Sequence, residues 1–156
     1  VTGDKTAPAK LSADDLTVGQ VFELGTYTPT REEIIAFAEQ WDPQPFHIDP
    51  EIAKNGHFGD VIASGAHTLA IYQRLAVAGV YRTWDILAGR SLREVRFHRP
   101  VLPGVTLVGR ITVQSVDLTG QHRAPVLILG ELFTESGERI FSLAVDVIVW
   151  RASRDR

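Results

Sequence analysis

The chain contains no cysteine, which removes disulfide bridges and thiol nucleophiles together. A surplus of positive charge is also missing: 16 Lys and Arg stand against 19 Asp and Glu, a formal net charge of -3. The global positive field of a nucleic-acid binder is therefore absent, and no nucleic-acid partner is expected. Nor is there an uninterrupted apolar run. The most apolar stretch, Ser64 to Tyr81, holds His67, Gln73 and Arg74, whereas a membrane span takes about 20 apolar residues that rarely include such groups. No glycine-rich nucleotide fingerprint occurs. Near Val1 no basic region is followed by an apolar segment, so the cytoplasm is the expected location and no membrane association is expected.

What is present fits one domain of ordinary size. The 156 residues are 44% hydrophobic and 22% charged, close to average globular usage and too few for an added dinucleotide-binding domain. Residues 1–10, with Thr6-Ala-Pro-Ala-Lys, read as a flexible arm, and 151–156 as a polar tail. Residues 11–150 form the domain.

A strand is predicted over Gln20 to Tyr27. Thr30 and Glu33 then have capping-box spacing, and Ile34, Phe37, Ala38 and Trp41 recur at helical spacing as a buried stripe. A short helical turn is expected after Pro50, ending at Asn55-Gly56. From Ser64-Gly65 a longer helix runs to about Ala78-Gly79, apolar on most sides, as in a helix enclosed by other structure. The second half holds four β-prone runs, Leu92 to Val101, Thr106 to Asp117, Val126 to Thr134 and Arg139 to Trp150, joined by turn-forming segments that favour hairpins. About five antiparallel strands around one buried helix make an α+β fold.

The most informative segment is Asp42-Pro43-Gln44-Pro45-Phe46-His47. Two prolines push the residues before them toward extended backbone, so the helix entering from Ile34 cannot continue and the segment reads as a stiff loop. An imidazole titrates near neutrality and a carboxylate lower, so the pair suits proton transfer. His57, His67, His98 and His122 show no metal-ligand spacing, and no metal is expected. His67 alone reads as a hydrogen-bonded structural residue.

This segment resembles the Asp-x-Asn-Pro-x-His motif of the MaoC-like and R-specific enoyl-CoA hydratase family. Phe58-Gly59-Asp60-Val61-Ile62-Ala63-Ser64-Gly65 resembles the family's second motif, and Val95-Arg96-Phe97 with Pro100-Val101-Leu102-Pro103-Gly104 its strand motif. The departures are Gln44 in place of the usual Asn, Trp41 where glycine is common, and Val105 where Asp is frequent. The resemblance implies a hotdog fold, a sheet wrapped around a long central helix. It implies a hydratase or dehydratase acting on CoA-linked 2-enoyl and 3-hydroxyacyl thioesters, with no cofactor beyond the CoA carried by the substrate. It implies Asp42 and His47 as the dyad and Gly65 at the helix start as the oxyanion site, where free N–H groups face a developing negative charge. Close packing of the helix explains Gly65 nearly as well, and capping explains Ser64. Phe58, Ala63 and Ser64 are the implied substrate contacts. A homodimer is expected.

Arg90, Arg93, Arg96 and Arg99 form the densest cationic run, and guanidinium groups suit the phosphates of coenzyme A. Strict alternation places Arg93, Val95, Phe97 and Arg99 on one face and Leu92, Glu94, Arg96 and His98 on the other, so only a subset can bind; Arg96 is the candidate. Two other uses of this fold stay open. A thioesterase usually places an acid on the central helix, and none lies between Ser64 and Ala78. The other is a noncatalytic acyl-thioester-binding subunit.

Overall fold

The computed structural model describes residues 8–152; the greater part of the expected arm, and residues 153–156 of the expected tail, lie outside them. The strands are β1 (Val21–Tyr27), β2 (Ile86–Phe97), β3 (Leu107–Val116), β4 (Arg123–Thr134) and β5 (Arg139–Trp150). They form one antiparallel sheet in the order β1-β3-β4-β5-β2. The helices are α1 (Arg31–Trp41), α2 (Pro45–Ile48), α3 (Pro50–Lys54) and α4 (Gly65–Ala76), the last continued by a π-helical turn, Val77–Tyr81. The sheet wraps α4, the hotdog arrangement.

Alternation decides the buried face of the sheet. On β4, Ala124, Val126, Ile128, Gly130 and Leu132 are buried while the residues between them are not, the period-two pattern of a strand with one face to a core. Small residues let α4 approach. A Cβ on Gly130 would lie 2.3 Å from the Tyr72 ring, and one on Gly109 would lie 3.2 Å from Leu75 Cδ1. Both side chains of α4 thus occupy space that a residue with a side chain would fill, and Tyr72 is fully buried there.

α1 begins at the expected capping box: Thr30 Oγ1 accepts from Glu33 N–H at 3.1 Å, and Thr30 N–H donates to Glu33 at 2.9 Å. Ile34 and Ala38 are buried as the stripe requires, but Trp41 is 66% exposed. The last turn has passed beyond the core by that position. α4 likewise departs from full enclosure: Ala66, Ala70, Gln73 and Arg74 are exposed, because the sheet covers one side of the helix only.

The Asp42–His47 segment is more ordered than a loop. Gln44 is extended (φ -73°, ψ 139°) and Pro45 opens α2, so His47 sits on a helical turn. Proline fits the first helical position, where its missing N–H is not needed and its φ is preset. β2 starts earlier than expected and carries register shifts, one between Arg93 and Arg96, with Glu94 at φ 50°. The extra residue cancels strict alternation. Arg93 pairs with Ala144 and Arg96 with Ser142, two apart on β5, so these arginines share a face.

Both ends of the described chain are tied in. Leu11 exchanges backbone hydrogen bonds with Thr83 and Asp85 at 2.7 Å. Arg151 Nε lies 3.0 Å from both Asp14 oxygens, and its Nη1 donates to the Leu118 and Gly120 carbonyls. That guanidinium holds the Asp14 carboxyl below its usual range.

Candidate active site

Asp42 terminates α1, its N–H bonded to the Ala38 carbonyl at 2.8 Å, so its side chain leaves from the end of a packed helix. His47 enters from α2. Its Nδ1 lies 2.6 Å from the Ile62 carbonyl oxygen. A carbonyl cannot donate, so Nδ1 carries the proton and the neutral ring presents its Nε2 lone pair. Nε2 stands 3.5 Å from Asp42 Oδ2, with the His47 side chain 6% and the Asp42 side chain 29% exposed. That separation is too long for a good direct hydrogen bond and leaves both atoms able to accept from one water molecule. Asp42 Oδ1 accepts from Gln44 Nε2 at 2.9 Å, which fixes the carboxylate's orientation.

Dyad and helix start share one cleft of about 490 Å³, lined among others by Asp42, Gln44, His47, Phe58, Ala63 and Gly65. Arg31 pairs with Asp60 and so ties the segment before the cleft wall to the start of α1. Ala63 N–H donates to the Val101 carbonyl at 2.9 Å, holding that wall against the segment after β2. At the mouth of α4, Ser64 Oγ accepts from His67 N–H and the Ser64 carbonyl from Thr68 N–H. The first-turn N–H groups of Gly65 and Ala66 remain for an external acceptor, at the positive end of a 12-residue helix.

Not every expected residue reaches the cleft. Ser64 is fully buried and caps the helix. Arg96 lies on the opposite face of the sheet, in a recess of about 280 Å³ shared with Glu94, His98, Arg139 and Ser142. Arg99 lines the cleft instead. Arg90 and Arg93 face Asp146, at 2.7 and 3.7 Å. Trp41 is not among the cleft residues. His67 is buried and stacked on Phe37, ring centroids 4.4 Å apart, but its Nδ1 has no hydrogen-bond partner. Burial pushes its pKa down. Among the described residues no group of three or more His, Asp or Glu has a metal-holding arrangement.

A family model for the MaoC like domain matches residues 14–126. The chain belongs to the MaoC-like dehydratase family. The solved MaoC-like dehydratase from Rhodospirillum rubrum superposes with a TM-score of 0.83 at 32% identity, covering 92% of this chain and 99% of that one. The 3-hydroxyacyl-thioester dehydratase Z of Mycobacterium tuberculosis is similar over 109 residues at 38% identity, 59% of this chain and 70% of the relative. YdeM of Bacillus subtilis, an uncharacterized protein, is 29% identical over 141 residues, which cover 90% of this chain and 100% of YdeM.

Three features of this MaoC-like site escape residue-by-residue reading. The Ile62 carbonyl sets the His47 tautomer, and a backbone acceptor leaves no mark in a sequence. Thr68 lines the cleft three positions after Gly65, a helical spacing that was available as a signal. Phe97 also lines it, having stood in the strand motif as a strand residue only.

Proposed function

We propose that the protein interconverts CoA-linked 2-enoyl and 3-hydroxyacyl thioesters by adding and removing water, with no metal or redox cofactor. The observation that carries this reading is the 3.5 Å pair of acceptors, His47 Nε2 and Asp42 Oδ2, in the same cleft as the free N–H groups of α4. Membership of a dehydratase family supports it.

In hydration, one water donates a hydrogen to each acceptor and presents its oxygen to C3 of the enoyl group. As the C–O bond forms, one of the two side chains takes the proton, and the C2–C3 π electrons move onto the thioester oxygen. The N–H groups of Gly65 and Ala66 stabilise that oxygen. Collapse of the enolate returns a proton from the dyad to C2; dehydration reverses each step. Gln44 aims Asp42 by donating to its other oxygen.

The working form is a homodimer joined along β2. This edge strand exposes Leu87, Leu92 and Val95, and an apolar open edge is a template for pairing. A monomer in sedimentation at assay concentration rejects the dimer. The activity is tested by following loss of enoyl absorbance and release of free thiol together, across short and long enoyl-CoA thioesters. Enoyl loss without thiol is expected. Thiol release without enoyl hydration assigns the site to thioester hydrolysis and ends the proposal.

A further inference from the structure

The two halves of the dyad are held by different parts of the chain. Asp42 closes α1, the helix that Arg31 opens. His47 is oriented by the Ile62 carbonyl, which lies in the segment between α3 and α4. The N–H of that same peptide unit, on Ala63, donates to the Val101 carbonyl and fixes its far side. Two residues before Ile62, the Asp60 carboxylate joins the two supports. Its Oδ1 accepts from Val61 N–H at 2.8 Å, and its Oδ2 accepts from Arg31 Nη2. Val61 is fully buried, so the chain turns into the core directly after this clamp. With one oxygen Asp60 grips the segment that carries the His47 acceptor, and with the other the helix that carries Asp42. Neither Arg31 nor Asp60 lines the cleft.

We propose that Arg31 and Asp60 are positioning residues: their ion pair holds Asp42 and His47 in register for one water molecule, and turnover falls when the pair is screened or removed. This rests on the hydratase reading given above. A water that donates to both side chains tolerates only small changes in the 3.5 Å between His47 Nε2 and Asp42 Oδ2. A shift of α1 against the Ile62 segment lengthens or skews one of the two hydrogen bonds. The side chains of Arg31 and Asp60 are 49% and 29% exposed, which opens the pair to salt. An exposed ion pair favours one arrangement over its alternatives by a factor of about 1.5–5, and that factor bounds its share of kcat.

The test measures kcat and KM for crotonyl-CoA in the wild type, Arg31→Gln, Asp60→Asn and the double variant, at about 0.01 M and about 1 M salt. Ring-nitrogen chemical shifts of His47 are recorded beside them, and melting establishes folding. Asp60→Asn keeps an acceptor for Val61 N–H, so it removes the ion pair alone. Each single variant should lose about 1.5–5-fold in kcat with KM unchanged, and the double variant no more than the poorer single. High salt should bring the wild-type kcat down to that of the variants and leave theirs in place. In the variants the His47 proton should move in part from Nδ1 to Nε2, the mark of a loosened Ile62 acceptor. A kcat equal to the wild type's, additive losses in the double variant, a wild-type kcat indifferent to salt, or unaltered His47 shifts overturn the proposal, even where melting falls. If the wild-type protein hydrates no enoyl-CoA, the hydratase reading fails, and the His47 shifts alone decide: altered in the variants, they uphold Arg31 and Asp60 as positioning residues, and unaltered, they reject them.

Discussion

Gly65→Ala separates two roles that one glycine combines. The new methyl would sit 2.7 Å from Phe97 Cζ, against an ordinary carbon contact of about 3.5–4.0 Å, so the ring has to retreat by roughly 1 Å. Because one flank of Phe97 is open, the strain belongs at the low end of the roughly 1–3 kcal/mol typical of overpacking. Gly→Ala in a helix returns up to about 1 kcal/mol. The two terms nearly cancel, so the net loss is within about 1 kcal/mol, at most about 2–4 °C in Tm for a domain of this length. Turnover behaves differently. If the thioester oxygen approaches the Gly65 backbone, the methyl obstructs it, and loss of such donors costs about 10²–10³ in kcat. Thermal melting and hydration of crotonyl-CoA are measured on the wild type, Gly65→Ala, Phe97→Ala and Gly65→Ala/Phe97→Ala. The double variant gives the methyl room, so measured against Phe97→Ala alone the added methyl no longer costs stability, while kcat stays low. A Gly65→Ala variant, single or double, with kcat within about threefold of wild type, roughly 0.7 kcal/mol of barrier, refutes the oxygen site and leaves Gly65 a packing residue.

Gln44→Leu removes the 2.9 Å hydrogen bond that aims Asp42 through its Oδ1; a solvent-facing bond to a charged group contributes about 1.5 kcal/mol, so kcat should fall by up to about tenfold and Tm by no more than a few degrees. Unchanged kcat removes Gln44 from the site. Gly130→Ala drives a Cβ to 2.3 Å from the fully buried Tyr72 ring, which cannot swing outward; a loss of about 3 kcal/mol is expected in denaturant unfolding, and a near-neutral result contradicts the packing of α4. Burial holds the folded pKa of His67 below the ordinary imidazole value of 6.5. The unfolded chain therefore binds the extra proton first, and this contribution is complete above about pH 6.5 and lost as pH falls toward the folded pKa. The drop in Tm from pH 7.5 to 5.5 should be smaller in His67→Phe than in the wild type, and equal drops contradict it.

How far the sequence carried the fold follows from which interactions are local. The α1 capping box is written in Thr30 and Glu33, three positions apart, and β5 is written in its own β-rich run; both appear where expected. The exposure of Trp41 and of one side of α4 is set by where the sheet stops, which no single helix encodes. Strict alternation failed on β2 because the bulge between Arg93 and Arg96 depends on pairing with β5. The bulge brings Arg93 onto the face of Arg96, whereas Phe97 and Arg99 stay opposite Arg96 as alternation has them, and which of those faces meets the cleft is set by the fold. Asp42 and His47 lie five residues apart and were legible as a pair. The partners that define their chemistry came from Ile62, a backbone oxygen, and from Gln44, visible as a departure but not as a donor.

The most direct test of the dyad is hydration of crotonyl-CoA by Asp42→Asn, His47→Ala and the double variant, each with circular dichroism and melting to establish folding. General acid–base groups contribute about 10²–10⁴ in rate, so each single variant should lose at least about a hundredfold in kcat. The double variant should be no worse than the poorer single, since the two act on one water. A folded double variant that retains wild-type turnover contradicts the account.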